Sequence, residues 1–164
     1  MTLQGNKQIE KMITIDAPVG VVWEVLADSR LLPQWVPVVD EVNSCEADGE
    51  SVGAVRSCAA ALGGKEGTMV ERCVEFVPNR RIAFVVDEES FGMAKMFDDY
   101  GFSLDLNPVR ADQTNVTLQT HYTPKNLMYA ALNVLVVRRQ FTQTCQGIVD
   151  GLKTFSEATA AASG

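Results

Sequence analysis

The chain has 164 residues, a formal net charge of −7 and a single histidine. Apolar residues make up 46% and charged residues 21%, ordinary globular usage, and a chain of this length forms one core without a disulfide or a metal. Its 14 Lys and Arg are scattered, which speaks against a nucleic-acid surface, where a basic stripe is needed, and the net negative charge argues weakly against docking on anionic membranes.

In chain order, residues 7–16 predict a strand, with Ile9, Ile13 and Ile15 on one face and Lys11 and Met12 breaking the alternation. Asp16 is placed to cap the helix that follows, and Pro18 suits its first turn. Val19, Val22, Trp23 and Leu26 then form one apolar stripe. A shorter helical turn after Asp28-Ser29 carries Leu31, Leu32 and Trp35, with Trp35 between Pro33 and Pro37. Six further strands are expected at 38–46, 54–62, 66–77, 81–88, 95–106 and 115–123. Turns are expected between them at Asp48-Gly49, Gly63-Gly64, Pro78-Asn79, Ser90-Phe91-Gly92 and Asn107-Pro108. A single helical pattern runs from about Asn126 to Ala158. Its second half has a clean stripe, and its first half is apolar nearly all round, which predicts burial on more than one side. The order is α+β, with a sheet that must curl around the last helix and leave a cavity at its mouth.

Cys45, Cys58, Cys73 and Cys145 are widely spaced and form no CxxC pair, so no metal and no cofactor is expected. MTLQGNKQIEK has no apolar leader character, and no run of about 18 apolar residues occurs. The expectation is a cytoplasmic protein with free thiols and no stable membrane insertion.

The run I-x-I-x-A-P-x-x-x-V-W-x-x-L-x-D from Ile13, followed by P-x-W-x-P-x-V, resembles the START/Bet v 1-like (SRPBCC) superfamily, and within it the polyketide cyclase/dehydrase and lipid-transport group. ERCVEFVPNRRIAF, with Glu71, Arg72, Pro78 and Arg81, resembles the same group's strand–turn–strand segment. The resemblance implies one domain over residues 1–164, ordered from about 7 to 158. Its fold would be a helix grip: a seven-stranded curved antiparallel sheet around a long C-terminal helix, with two short helices after the first strand. It also implies an apolar cavity, whose occupants in that group are lipids, quinones, hormones or polyketides.

Gly63-Gly64 suits a two-residue hairpin, because such turns need positive φ. That pairing sets Arg56 opposite Glu71, Cys58 opposite Met69 and Ala60 opposite Gly67. Hydrophobicity does not choose which face of this hairpin points inward. The resemblance does, because the family's equivalent of Glu71 points into the cavity; the other reading is a cross-strand salt bridge facing solvent. On the next strands Ile82, Phe84 and Val86 share a face, and Met96, Asp98, Tyr100, Phe102 and Leu104 form an inner face, with Asp98 at a rim. Val116, Leu118, Thr120 and Tyr122 point inward, leaving His121 outside. Trp23 reads as core, and the resemblance puts Trp35 at the pocket mouth. Tyr100 is either a hydrogen-bond donor to a ligand carbonyl or a core tyrosine.

The expected ligand set is therefore Trp35, Arg56, Cys58, Met69, Glu71, Phe84, Asp98, Tyr100, Phe102, Tyr122 and Leu135. Three functions fit. The first is a carrier or receptor for an apolar small molecule with a polar end. The second is a polyketide cyclase/dehydrase-type enzyme, with Glu71 as acid or base and Tyr100 beside it. The third is an interaction module or homodimer through Met128, Leu132, Leu135 and Val136 on the long helix.

Overall fold

The computed structural model describes residues 2–45 and 51–164. Strand β1 (Lys7–Ile15) leads into helix α1 (Val19–Ala27), a 3-10 turn at Ser29–Leu31 and the four-residue helix α2 (Leu32–Trp35). Six strands follow: β2 (Val39–Cys45), β3 (Val55–Leu62), β4 (Lys65–Val77), β5 (Arg81–Glu89), β6 (Phe97–Arg110) and β7 (Gln113–Pro124). They join β1 in a seven-stranded antiparallel sheet of order β1-β7-β6-β5-β4-β3-β2. The last element is an unbroken helical run made of α3 (Leu127–Leu132), a π-turn (Asn133–Val137) and α4 (Arg138–Ala162). The expected turn at Asp48-Gly49 lies outside the described residues.

The core fills the space between the inner face of the sheet and the helices. Val22, Val25 and Leu26 of α1, Ile82 of β5, Val116 of β7, and Val149 and Leu152 of α4 are all buried there. Trp23 packs edge-on against Phe76, with ring centroids 4.9 Å apart. The β3–β4 register is the one the two-glycine turn requires: Leu62 faces Lys65 and Arg56 faces Glu71, with Gly63 and Gly64 at φ 58° and 80°.

Four local expectations are corrected. Asp16 does not cap α1: its carboxylate accepts from Gln113 Nε2, its N–H donates to Glu157, and Pro18 occupies the cap position. Asn107-Pro108 is not a turn, because β6 continues to Arg110 beyond its last pairing with β5 at Asp105. There the proline's missing N–H costs no ladder bond on the open side. On β6, Asp98 and Asp99 are both exposed, and the register with β7 slips between Asp98 and Gly101. Asp99 adopts φ 56° at this bulge. The extra residue reverses the alternation, so Phe97 is buried and Asp98 turns out to Lys125 at 3.3 Å.

The fourth correction concerns the first half of the long helix. Leu127, Val134 and Leu135 are 90%, 68% and 76% exposed. Only Asn133 and Val137 of the π-turn are buried. The widened turn rephases the helix so that both meet the sheet, and Asn133 takes a hydrogen bond from the Tyr122 hydroxyl at 2.8 Å. Among the described residues no helix is long and apolar enough to cross a membrane.

Candidate functional site

A cavity of about 110 Å³ lies between the sheet and α4. Its floor comes from alternate residues of successive strands: Cys58 and Ala60 on β3, Met69 and Glu71 on β4, Ile82 and Phe84 on β5, and Tyr100, Phe102 and Leu104 on β6. Its roof is Phe141, Thr144, Cys145 and Ile148 of α4, and its end wall is Leu26, Leu32, Trp35 and Val36. The wall is largely apolar, so the few polar groups decide what it can recognise.

Trp35 is set in this wall by its flanks. Pro33 sits in the first turn of α2, and Val36 leaves it in an extended conformation. The Trp35 carbonyl lies so close to Gly151 of α4 that a Cβ there would sit 1.9 Å from the oxygen. Glycine at 151 thus allows the helix to seat on the Trp35 backbone.

Arg56 and Glu71 face one another as the hairpin register dictates. Arg56 Nε donates to Glu71 Oε2 at 2.6 Å, with side-chain exposures of only 7% and 9%. A second guanidinium nitrogen donates to Ser29 Oγ at 3.3 Å, and the group lies 3.8 Å from the centre of the Phe84 ring. Carboxylate, hydroxyl and aromatic face together offset the cost of burying the cation.

Other polar atoms are unspent. Trp35 Nε1 and Thr120 Oγ1 are buried without a hydrogen-bond partner among the described residues. The Tyr100 side chain lines the same cavity. Burial first, then the neighbouring Cys145 and Glu71, pushes the Tyr100 phenol far above its ordinary value. It therefore remains a neutral donor. Burial also raises the Cys58 and Cys145 thiols to about 11, so both are protonated near neutrality and neither is an activated nucleophile.

Of the residues expected from the sequence, the wall brings together Trp35, Arg56, Cys58, Met69, Glu71, Phe84, Tyr100 and Phe102. Three do not join them. Asp98 is turned out by the β6 bulge. Tyr122 is fully buried beneath the tip of the long helix, packed with Met93, Phe97 and Val137, and its hydroxyl is engaged by Asn133. Leu135 points to solvent because the π-turn gives the inward positions to Asn133 and Val137.

Thr120, Thr144, Cys145 and Ser29 were not singled out from the sequence as site residues. The inward alternation on β7 was the signal for Thr120, and the α4 stripe was the signal for Cys145. Nothing in the sequence marks Ser29. His121 lies on the outer face, its Nδ1 3.3 Å from the Gly5 carbonyl. Among the described residues no group of His, Cys, Asp and Glu could hold a metal ion.

A family model described as polyketide cyclase / dehydrase and lipid transport matches residues 7–157. No curated protein sequence matches the chain. Among solved structures, a START superfamily protein from Mycobacterium smegmatis is similar at a TM-score of 0.74 and 14% identity, covering 94% of this chain and 99% of that one. The Zhui aromatase/cyclase from Streptomyces sp. R1128 gives 0.73 and 18%, with 91% and 92% covered. A point mutant of norcoclaurine synthase from Thalictrum flavum, in complex with a transition-state analogue, gives 0.73 and 13%, with 94% and 97% covered. At these identities the likeness shows a common fold.

Proposed function

The chain belongs to the polyketide cyclase / dehydrase and lipid transport family, and from that premise we propose that it binds a neutral, mostly apolar small molecule in the cavity under α4, as a carrier or receptor. The observation that carries this reading is the cavity wall itself. It is apolar apart from a self-compensated ion pair, the Tyr100 and Thr144 hydroxyls, and Trp35 and Thr120, whose Nε1 and Oγ1 are buried without a partner among the described residues. Orphaned polar groups cost free energy when dry, and a ligand hydroxyl or carbonyl would relieve that cost.

Size narrows the ligand further. An apolar cavity of about 150 Å³ holds benzene, and drug-sized pockets run to about 300–1,000 Å³. At about 110 Å³, below that benchmark, this cavity accepts at most one ring, with slight movement of its wall, or a short chain. A lipid, quinone or polyketide chain would have to displace wall side chains such as Met69 and Phe141. A catalytic reading through Glu71 is less well supported, because Arg56 holds that carboxylate at 2.6 Å, leaving it less free to move a proton.

The test is native mass spectrometry of gently purified protein, followed by titration with phenol, benzyl alcohol and 1-pentanol. Stoichiometric binding that is lost in Cys58→Phe, which fills the cavity, is the expected outcome. Empty protein that binds none of these probes would refute the reading. Turnover of a bound polyketide-like substrate that Glu71→Gln abolishes without loss of affinity would replace the carrier with an enzyme.

A further inference from the structure

The first turns of the long helix leave six large apolar side chains in solvent: Leu127, Met128, Leu132, Val134, Leu135 and Val136. At about 100° per residue in the α-helical part and roughly 80° through the π-turn they cover an arc of roughly 200° around the helix axis, the remaining side being the one where Asn133 and Val137 meet the sheet. The segment is firmly seated. The Tyr122 hydroxyl donates to Asn133 Oδ1 at 2.8 Å, Asn133 Nδ2 donates to Gln8 Oε1 at 3.4 Å, and Gln8 Nε2 donates to the Tyr122 carbonyl at 2.9 Å.

Two arginines follow the apolar arc at once. Arg138 and Arg139 are exposed and form no ion pair among the described residues. Continuing the helical rotation beyond the π-turn, Arg139 projects on the side of the apolar arc and Arg138 at its edge, nearer the body of the protein. Lys125, at the other end of the segment, is already paired with Asp98 at 3.3 Å.

We propose that this segment docks the protein reversibly on a lipid bilayer containing acidic phospholipids. A partner helix covers a single stripe, about 100° wide, and would leave much of this arc wet. A bilayer encloses an apolar wedge from every side, and it places phosphates at the depth where Arg138 and Arg139 emerge. Their aliphatic stems remain in the apolar layer while the guanidinium groups reach the headgroups. The net charge of −7 opposes approach to an acidic surface at long range. That repulsion is screened beyond a Debye length of about 8 Å at physiological salt, and the arginines act at contact. Phe141, one turn beyond Arg138, already lines the cavity, so docking would bring the cavity's helical wall to the lipid surface.

The proposal is independent of what the cavity holds, and its test reads membrane association alone. Full-length protein is floated with phosphatidylcholine vesicles, with and without phosphatidylglycerol. The wild type is expected to float with the acidic vesicles. A Val134→Asp/Leu135→Asp variant, and separately Leu127→Asp/Met128→Asp, should lower the bound fraction about tenfold or more. Arg138→Gln/Arg139→Gln should lose the preference for acidic lipid, and Val109→Asp, at the far end of β6, should float unchanged. All the replaced side chains are exposed, so circular dichroism and cavity-probe binding should match the wild type. Failure of the wild type to float, or flotation of both aspartate variants equal to that of the wild type, would overturn the proposal. So would a concentration-dependent dimer abolished by Leu135→Asp in protein that ignores vesicles, which would assign the face to a second copy of the chain.

Discussion

Removing the Arg56 guanidinium while Glu71 stays in place would strand a carboxylate in the cavity wall, where its exposure is 9%. The loss of one partner from a buried pair costs roughly 3–5 kcal/mol, whereas replacing both by apolar groups of similar volume is often neutral. Arg56→Met is therefore expected to lower unfolding stability by about that amount in a denaturant titration, and Arg56→Met/Glu71→Met to recover most of it. A double variant as unstable as the single one would mean that the Ser29 bond and the Phe84 face, and not the ion pair, hold this corner together. The pairing itself was legible in the sequence, because Gly63-Gly64 fixes the register. The depth of burial was not, since alternation leaves both faces of that hairpin equally plausible until the helix is laid across one of them.

Among the elements, α4 depends on two glycines with opposite requirements. A Cβ at Gly151 would sit 1.9 Å from the Trp35 carbonyl, while one at Gly147 would meet only Pro37 Cγ at 3.6 Å. Gly151→Ala should therefore destabilise by roughly 1–3 kcal/mol through forced displacement of α2. Gly147→Ala should be neutral or stabilise by up to about 1 kcal/mol through helix propensity. Thermal melts of the two variants, read against one another, check this. Equal effects would mean that α2 can shift freely away from α4. The strands and the long helix were readable from period and turn chemistry. The two departures from regularity were not. The β6 bulge puts an aspartate at positive φ with no glycine to announce it, and the π-turn looks in sequence like any other helical residues. Each changed the facing of its neighbours: Asp98 left the cavity, and a segment that looked doubly buried became an exposed wedge. Cavity size was illegible for a different reason, since it depends on how Phe84, Phe102 and Trp35 choose their rotamers.

For the molecule as a whole, the buried thiols set an alkaline limit. Cys58 and Cys145 are raised to about 11, and Cys73 is raised as well, all chiefly by burial. Above the ordinary thiol value near 9, the unfolded chain releases protons that the folded chain retains, so stability falls as pH rises from about 9 towards 11. Cys58 and Cys145 each contribute a slope of up to about 1.4 kcal/mol per pH unit in that window. Denaturant midpoints measured from pH 7 to pH 11 should show this decline, and Cys58→Ala/Cys145→Ala should make it shallower, most visibly between pH 9 and pH 10. A midpoint unchanged up to pH 11 would contradict it. The same interior has a consequence for whatever enters it. Arg56 already has its counter-ion, so the cavity offers a visitor hydrogen bonds but no spare charge. A weak acid or base could enter only as its uncharged form, leaving its ionisation outside. Loading would then report the acidity of the surroundings: for a carboxylic acid, occupancy at limiting concentration would drop about tenfold for each pH unit above the acid's own pKa. The cavity would select for protonation state as much as for shape.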